Sequence, residues 1–313
     1  MKVLIVDEMH ESIVNMLSEL GLEVDYCPEY KLKETQKIIH AYEGLVIRSK
    51  FSIGAEFLKL ASRLKFIARA GAGLDLIDLT ACKVADVAVF SANEANKVAV
   101  AEHLMGMLLG LLHSIPKGNS EVKAGVWDRE GNRGVELFGK TVGIIGLGNN
   151  GRATAERLAA FGCKILAYDK FKYGFGTHLI GESSMEEIFE QADIVSLHVP
   201  LTADTQAWVN ADFFDRFKKP IVLCNIARGE IVKLSDLVEA LKDGKVKGAC
   251  LDVLENEKLH KLSEEQKEVF AYLAAHENVM LSPHVAGWSV ESYYKINVVL
   301  RDKIARYLLK NRQ

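Results

Sequence analysis

The sequence predicts an α/β chain of two domains, each built on a parallel sheet with helices on both faces. Short runs of β-branched and other apolar residues alternate with helix-like patterns along most of its 313 residues. A glycine-rich turn lies near the middle of the chain, so that a separate α/β unit precedes it. A chain of this length is typical of about two domains.

The first hundred residues repeat a strand and helix pattern. A helix is predicted over residues 11–20, where Gly21 would end it. No glycine-rich turn follows the first strand, so this unit is predicted to face the substrate rather than a nucleotide. The predicted strands are residues 3–6, 22–26, 45–47, 64–68 and 87–90.

A long helix is predicted over residues 96–113, and it is apolar on more than one face. Such a helix must be buried, between domains or between subunits, and we interpret it as the crossover into the second domain. His103, within it, is predicted to pack in the interior. The arm that follows, residues 126–138, is equally compatible with a dimer contact and with a surface loop.

The most specific motif is Gly146-x-Gly148-x-x-Gly151, which follows a β-branched run and precedes a helix predicted over residues 152–161. Gly146 permits a tight turn, Gly148 lets the backbone approach a pyrophosphate, and Gly151 lets the helix pack on the strand. A second strand then delivers Asp169, which would bind the ribose hydroxyls of a dinucleotide. An acid at this position favours NAD over NADP, because it repels a 2′-phosphate.

Composition excludes several classes of function. The net charge of −3 gives no electrostatic case for binding nucleic acid or an anionic membrane. The sequence contains no signal peptide and no apolar run long enough to span a membrane. It also lacks the spacing of residues that is typical of a metal site. Five scattered cysteines are expected to be thiols in a reducing compartment, and we expect a cytoplasmic protein.

Polar residues follow each later strand. In an open parallel sheet, ligands bind beyond the carboxyl ends of the strands, so these residues are the candidates for chemistry. The strands are predicted at residues 164–168, 194–198, 221–225, 247–252 and 279–282. The residues that follow them include Pro200, Arg228, Glu257 and His284.

Together these motifs resemble the D-isomer-specific 2-hydroxyacid dehydrogenases. The resemblance covers essentially the whole chain, in the same order. It implies a flavodoxin-like substrate domain, residues 1–98 and 287–313, and a Rossmann NAD-binding domain, residues 99–286. The motifs are the glycine turn, residues 192–202, Asn225 to Gly229, Leu251 to Val253 with Glu257, Ser282-Pro283-His284, and residues 46–49, 69–75 and 98–103.

The family's catalytic trio maps onto Arg228, Glu257 and His284. His284 would accept the hydroxyl proton of a 2-hydroxy acid, and would donate it in the reductive direction. Glu257 would hydrogen-bond the imidazole and stabilise its charged form; Glu255 lies two residues earlier, but the spacing from Asp252 favours Glu257. Arg228 would hold the carboxylate and the carbonyl oxygen with its planar guanidinium.

The resemblance also implies binding residues. For the substrate they are Arg48, Ser49, Arg69, Ala70, Gly71, Ala72 and Asn96, with residues 70–72 forming an anion-binding nest of N–H groups. For NAD they are Gly146, Gly148, Asn149, Asn150, Gly151, Asp169, His198, Val199, Pro200, Thr205, Asn225, Ile226, Ala227, Asp252, His284, Ala286 and Gly287.

The substrate is predicted less sharply. Within the family, the overall series of motifs is most similar to that of the phosphoglycerate dehydrogenases. Arg48, Lys50 and Arg69 could bind a phosphate, together with Arg133 of a partner subunit. No C-terminal regulatory domain is expected. A glyoxylate or hydroxypyruvate reductase remains an alternative, and so does a non-catalytic NAD-sensing scaffold. A homodimer formed through the cofactor domain is expected.

Overall fold

The computed structural model describes residues 1–311. Its strands follow the β-branched runs of the sequence. They are β1 (Lys2–Ile5), β2 (Glu23–Tyr26), β3 (Gly44–Ile47), β4 (Phe66–Arg69), β5 (Ala88–Ser91), β6 (Thr141–Ile145), β7 (Lys164–Tyr168), β8 (Gly181–Glu182), β9 (Ile194–Leu197), β10 (Ile221–Asn225), β11 (Val246–Leu251) and β12 (Val279–Leu281).

Helices connect most of these strands, and several begin at a serine, asparagine or aspartate whose side chain accepts from a main-chain N–H of the first turn. They are α1 (Ser12–Ser18), α2 (Leu32–Ile38), α3 (Ala55–Leu60), α4 (Leu79–Val84), α5 (Lys97–Leu112), α6 (Ile115–Lys123), α7 (Asn149–Ala160), α8 (Met185–Gln191), α9 (Ala211–Asp215), α10 (Leu234–Lys242), α11 (Glu264–Ala275) and α12 (Val290–Lys310).

The chain divides into two compact units. Unit 1 comprises Met1–Lys97 and Trp288–Gln313, and unit 2 comprises Val98–Gly287. Each division lies one residue from the boundary that the sequence suggests.

Unit 1 is a five-stranded parallel sheet of order β2-β1-β3-β4-β5, which is the flavodoxin order. One face packs on α1 and α12, through Val3, Ile5 and Val46 of the strands and Leu300 of α12. The other face forms a second core with Leu4 and Leu45, whose side chains point the opposite way because strand residues alternate. Both faces are therefore buried, as a doubly wound sheet requires.

Unit 2 is a seven-stranded parallel sheet of order β12-β11-β10-β9-β6-β7-β8. The chain starts in the middle at β6, runs to one edge, and returns to β9 on the other side of β6, which is the Rossmann topology. The fold class predicted from the sequence is thus confirmed. The sequence did not predict β8, a two-residue edge strand, and α7 begins at Asn149, three residues earlier than expected.

Two cores cover the faces of the unit 2 sheet. Leu223 and Ala249 belong to one, and their neighbours Cys224 and Cys250 belong to the other. All five cysteines are free thiols, and four of them are buried. Helix α5 packs in the second core through residues such as Leu104 and Leu108, so its predicted burial is confirmed.

Within residues 1–311, no single helix is long and apolar enough to cross a bilayer; α5 and α6 would satisfy the length and composition only as a pair bent by 62°. The same residues contain no group of three or more His, Cys, Asp or Glu side chains suited to a metal ion.

The arm between α6 and β6 has neither helix nor strand and exposes large apolar side chains. Trp127 is 79% exposed and Phe138 is 76% exposed, and Val126 and Val135 are about half exposed. The structure therefore leaves both predictions for the arm open, a dimer contact and a surface loop.

Candidate active site

The glycine turn joins β6 to α7 at the point where the strand order reverses. Gly146 has φ +94°, and a Cβ there would lie 2.7 Å from the carbonyl oxygen of His198. A Cβ on Gly151 would overlap the carbonyl oxygen of Gly146, whereas one on Gly148 would meet no atom within 4 Å. Gly146 and Gly151 are thus required by the protein's own packing, while Gly148 faces open space that a ligand can approach.

This turn fits a dinucleotide. The N-terminus of α7 has no side-chain cap, so main-chain N–H groups and the positive end of the helix dipole are directed at the open space above Gly148. Asn150 places a buried Oδ1 atom beside them that has no hydrogen-bond partner among the described residues. Asn149, at the first helical position, is exposed.

Asp169 follows β7 and its side chain is mostly buried. One carboxylate oxygen accepts from Leu147 N at 2.9 Å, and the other accepts from Phe171 N at 3.0 Å. Lys172 donates to Leu147 O at 2.7 Å, and its ammonium lies 3.9 Å from the Asp169 carboxylate. The acid predicted for the ribose therefore already touches the glycine turn.

His198 lies directly after β9, beneath the glycine turn. Its Nε2 atom is 2.9 Å from Ser196 Oγ. Although the residue as a whole is not fully buried, desolvation of the ring lowers the pKa of His198 to about 3, so the imidazole is neutral at ordinary pH. The next residues form an ordered loop, in which Thr205 Oγ1 donates to the carbonyl oxygen of Pro200 at 2.7 Å, and Val199 lies beside Gly146.

Asn225 shapes the loop that carries Arg228. The Asn225 side chain is buried, donates to Arg228 O at 2.9 Å and accepts from Ala227 N at 3.1 Å. A Cβ on Gly229 would overlap the carbonyl oxygen of Leu254, so this glycine lets the loop after β10 pack against the loop after β11. The spacing Asn225-x-x-Arg228-Gly229 thus has a local structural reason.

His284 and Glu257 meet beyond the carboxyl ends of β11 and β12. His284 Nδ1 lies 2.9 Å from one Glu257 carboxylate oxygen and 3.1 Å from the other. Glu255, the competing acid, is directed elsewhere, since it accepts from Leu234 N at 2.9 Å and its burial raises the pKa of that carboxyl group. The spacing argument for Glu257 therefore agrees with the contact, while its catalytic role stays a prediction.

One buried acid holds the loop that carries His284. Asp252 is 1% exposed, and its carboxylate accepts from Ser282 Oγ at 2.6 Å and from Val285 N and Ala286 N at 2.9 Å. Its carbonyl oxygen accepts from His284 N at 2.8 Å. His284 itself has φ +54°, which costs a non-glycine residue about 1–3 kcal/mol and persists only where surrounding contacts fix it.

His103 was missed as part of this site. It was predicted to pack, and the structure adds a polar contact, because its Nε2 atom lies 2.9 Å from Ser282 Oγ and 3.5 Å from the Asp252 carboxylate. His103 lies in α5, whereas Ser282 and Asp252 directly follow β12 and β11, and 179 positions of sequence separate His103 from Ser282. No local sequence signal could have found this contact.

The residues predicted to bind the substrate lie in unit 1. Asp7 accepts from the main-chain N–H groups of Arg48 and Ser49, and the Arg48 guanidinium stacks on the Trp288 ring at 3.8 Å. Lys50 donates to the carbonyl oxygen of Pro28 instead. One of the three ammonium donors of Lys50 is thus engaged, and the predicted basic cluster of Arg48, Lys50 and Arg69 stays a prediction.

The turn after β4 also differs from expectation. The N–H of Ala70 donates to Ile47 O at 2.8 Å and that of Gly71 to Arg69 O at 2.9 Å, so the predicted anion nest lacks these two donors. The Arg69 guanidinium folds over Gly71, where it fills the space of a Cβ, and Ala72 follows. Asn96, by contrast, has a buried Oδ1 atom with no hydrogen-bond partner in residues 1–311.

Comparison with known proteins identifies relatives of this chain. The family model for the D-isomer specific 2-hydroxyacid dehydrogenase, NAD binding domain, matches residues 105–286. The D-3-phosphoglycerate dehydrogenase of Methanocaldococcus jannaschii is 33% identical over 98% of this chain and 57% of its own length. The hydroxypyruvate reductase of Thermotoga maritima is 36% identical over 88% of each chain.

Among solved structures, a D-lactate dehydrogenase from Aquifex aeolicus complexed with NAD and lactic acid superposes with a TM-score of 0.83. It is 26% identical and covers 98% of this chain and 96% of its own. The chain spans a little over half the length of the D-3-phosphoglycerate dehydrogenases that it matches.

Proposed function

The chain belongs to the D-isomer-specific 2-hydroxyacid dehydrogenase family, and on that premise we propose that it transfers a hydride between NAD and a D-2-hydroxy acid or its 2-oxo acid. The observation that carries the proposal is the contact between His284 Nδ1 and Glu257 at the carboxyl ends of the unit 2 strands. It is the arrangement of a general acid–base with an orienting carboxylate.

The side chains divide the chemistry as follows. Because Glu257 binds Nδ1, the proton stays on that nitrogen, and Nε2 of His284 is the atom that exchanges a proton with the substrate oxygen. In the reductive direction the imidazolium donates this proton while C2 receives a hydride, which the bound nicotinamide supplies. Arg228 stabilises the negative charge of the carboxylate and of the developing alkoxide.

The NAD-binding residues are proposed from the contacts of unit 2. The glycine turn and the first N–H groups of α7 would hold the pyrophosphate, and Asp169 the ribose hydroxyls. Asp252 lies where strand β11 ends, and His198 contributes a neutral ring. The remaining predicted positions lie in the loops after β9, β10 and β12 and stay predictions: Val199, Pro200, Thr205, Asn225, Ile226, Ala227, Ala286 and Gly287.

For the substrate we propose the 3-phosphoglycerate and phosphohydroxypyruvate pair, in serine biosynthesis. One support is the M. jannaschii relative. The other is Arg48, because a guanidinium that stacks on Trp288 by its face can still bind an anion through the N–H groups at its edge. The second candidate is hydroxypyruvate or glyoxylate, favoured by the T. maritima relative and by the engagement of Lys50 with Pro28.

The deciding experiment follows NADH oxidation with phosphohydroxypyruvate, hydroxypyruvate, glyoxylate and pyruvate in parallel. A kcat/KM for phosphohydroxypyruvate far above the others supports the first candidate, and the reverse order supports the second. Arg48→Gln would then raise the KM for the phosphorylated acid alone, while Lys50→Gln serves as the matched control. Tight NADH binding without turnover of any acid would instead indicate a non-catalytic NAD-sensing scaffold.

A homodimer and a cytoplasmic location complete the proposal. The exposed apolar arm, with Trp127 and Phe138, offers a surface for a second copy of the chain. Five unpaired thiols fit a reducing compartment.

A further inference from the structure

Four hydrogen bonds connect the loop of His284 to a single residue, Asp252. One of them comes from Ser282, which also contacts His103 of α5. Ser282 Oγ is 2.6 Å from the Asp252 carboxylate and 2.9 Å from His103 Nε2. The three side chains form a hydrogen-bonded network that begins on α5 and ends at the main-chain N–H groups of Val285 and Ala286. The N–H of His284 donates separately to the carbonyl oxygen of Asp252.

The number of available protons determines which group donates in each of these hydrogen bonds. A serine hydroxyl has one proton, and an ionised carboxylate can only accept, so Ser282 donates to Asp252. The alternative acceptor, the thioether of Met107 at 3.5 Å, is far weaker. The hydroxyl oxygen can then only accept from His103, whose Nε2 must carry a proton. His103 thus aligns the hydroxyl and also directs an N–H dipole toward the buried carboxylate at 3.5 Å.

We propose that His103, acting through the hydroxyl of Ser282, is a positioning residue for the loop that carries His284. The inference rests on the proposed acid–base role of His284. Without the His103 donor, the Ser282 hydroxyl can rotate away from Asp252, and the loop loses one of the contacts that hold His284 in its left-handed conformation. A displacement of about 1 Å at such a residue is enough to slow turnover by up to roughly 100-fold.

The test compares His103→Leu, His103→Gln, Ser282→Ala and the double variant His103→Leu/Ser282→Ala. His103→Leu is expected to lower kcat roughly 10- to 100-fold, with the NADH Kd near its wild-type value. His103→Gln keeps an N–H donor and should recover most of kcat. The double variant should be no slower than Ser282→Ala alone, because both changes break the same hydrogen-bonded network. His178→Leu, at an exposed site of unit 2, is the matched control.

His284→Ala, measured alongside, separates the two proposals. It should abolish turnover and leave NADH binding nearly intact. Turnover that survives in His284→Ala would overturn the proposed function. An inactive His284→Ala beside a folded His103→Leu of wild-type kcat would overturn only the role of His103, as would losses that simply multiply in the double variant.

Discussion

The Glu257 carboxylate lies 2.9 Å from His284 Nδ1, and 27 residues of sequence separate the two. Both side chains are about half exposed, at 48% and 47%. An ion pair this exposed contributes little to the free energy of folding, because water and salt screen it. The proposed role of this contact is therefore to orient the imidazole rather than to stabilise the fold.

Replacing Glu257 by glutamine should separate these two effects. Glu257→Gln is expected to lower kcat by about 100-fold or more, because the imidazolium loses its carboxylate partner. The melting temperature should hardly change. Glu255→Gln is the matched control, since Glu255 bonds to Leu234 N and should keep its kcat. Equal losses in the two variants would contradict the assignment of Glu257.

Asp169 should determine the preference between NADH and NADPH. Asp169→Asn keeps the shape of the side chain but removes the charge that is proposed to bind the ribose hydroxyls and to repel a 2′-phosphate. We expect the Kd of NADH to rise about tenfold, and the ratio of the two affinities to narrow, as measured by fluorescence titration. Asp204→Asn, which removes the exposed partner of Lys170, should leave both affinities unchanged. Equal affinities of the wild-type protein for NADH and NADPH would contradict the proposed role of Asp169.

His198 should make the folded protein sensitive to acid. Its pKa is about 3 when folded and about 6.5 when unfolded, so both states are neutral above pH 6.5. Below that pH only the unfolded chain takes up the proton, and stability is lost as the pH falls toward 3. Between pH 7 and pH 5 the loss attributable to His198 is up to about 2 kcal/mol.

Thermal melts of wild type and His198→Gln at these two pH values provide the measurement. The wild-type melting temperature should fall further than that of His198→Gln on acidification. His178→Gln, which changes an exposed histidine, should follow the wild type. Parallel losses in all three proteins would mean that His198 titrates normally.

The arm should hold two copies of the chain together. Phe138→Glu places a charge on a ring that is 76% exposed, and it should convert a dimer to a monomer in light scattering. Phe171→Glu is a comparable change at a ring that is 81% exposed but lies outside the arm, and it should leave the mass unchanged. A monomeric wild type would contradict the proposed interface at once.

Features encoded locally could be predicted from the sequence. The strand and helix periods, the glycine turn and the acid after β7 follow from short stretches, and the observed sheets agree with them. Strand β8 was missed because two exposed residues carry no detectable alternation. The early start of α7 was missed because Asn149 and Asn150 favour turns as readily as a first helical turn.

Features that depend on distant residues could not be predicted. Spacing selected Glu257, but only the fold brings it to His284, and only the fold joins His103 to Ser282. Lys50 donates to the main-chain carbonyl oxygen of Pro28, and a pattern of charged residues cannot predict such a contact. The N–H groups of Ala70 and Gly71 were likewise assigned to an anion because their main-chain acceptors are invisible in the sequence.

The stacking of Arg48 on Trp288 gives unit 1 an optical signal of its own. The three tryptophans have distinct surroundings: Trp127 is largely in solvent, Trp208 packs edge-on against Phe213, and Trp288 lies 3.8 Å below a cation. An anion bound at the edge of the guanidinium would offset the positive charge above the indole and would change the emission of Trp288 alone. A chain carrying Trp127→Phe and Trp208→Phe would therefore report substrate capture by its intrinsic fluorescence, with no label and before any turnover.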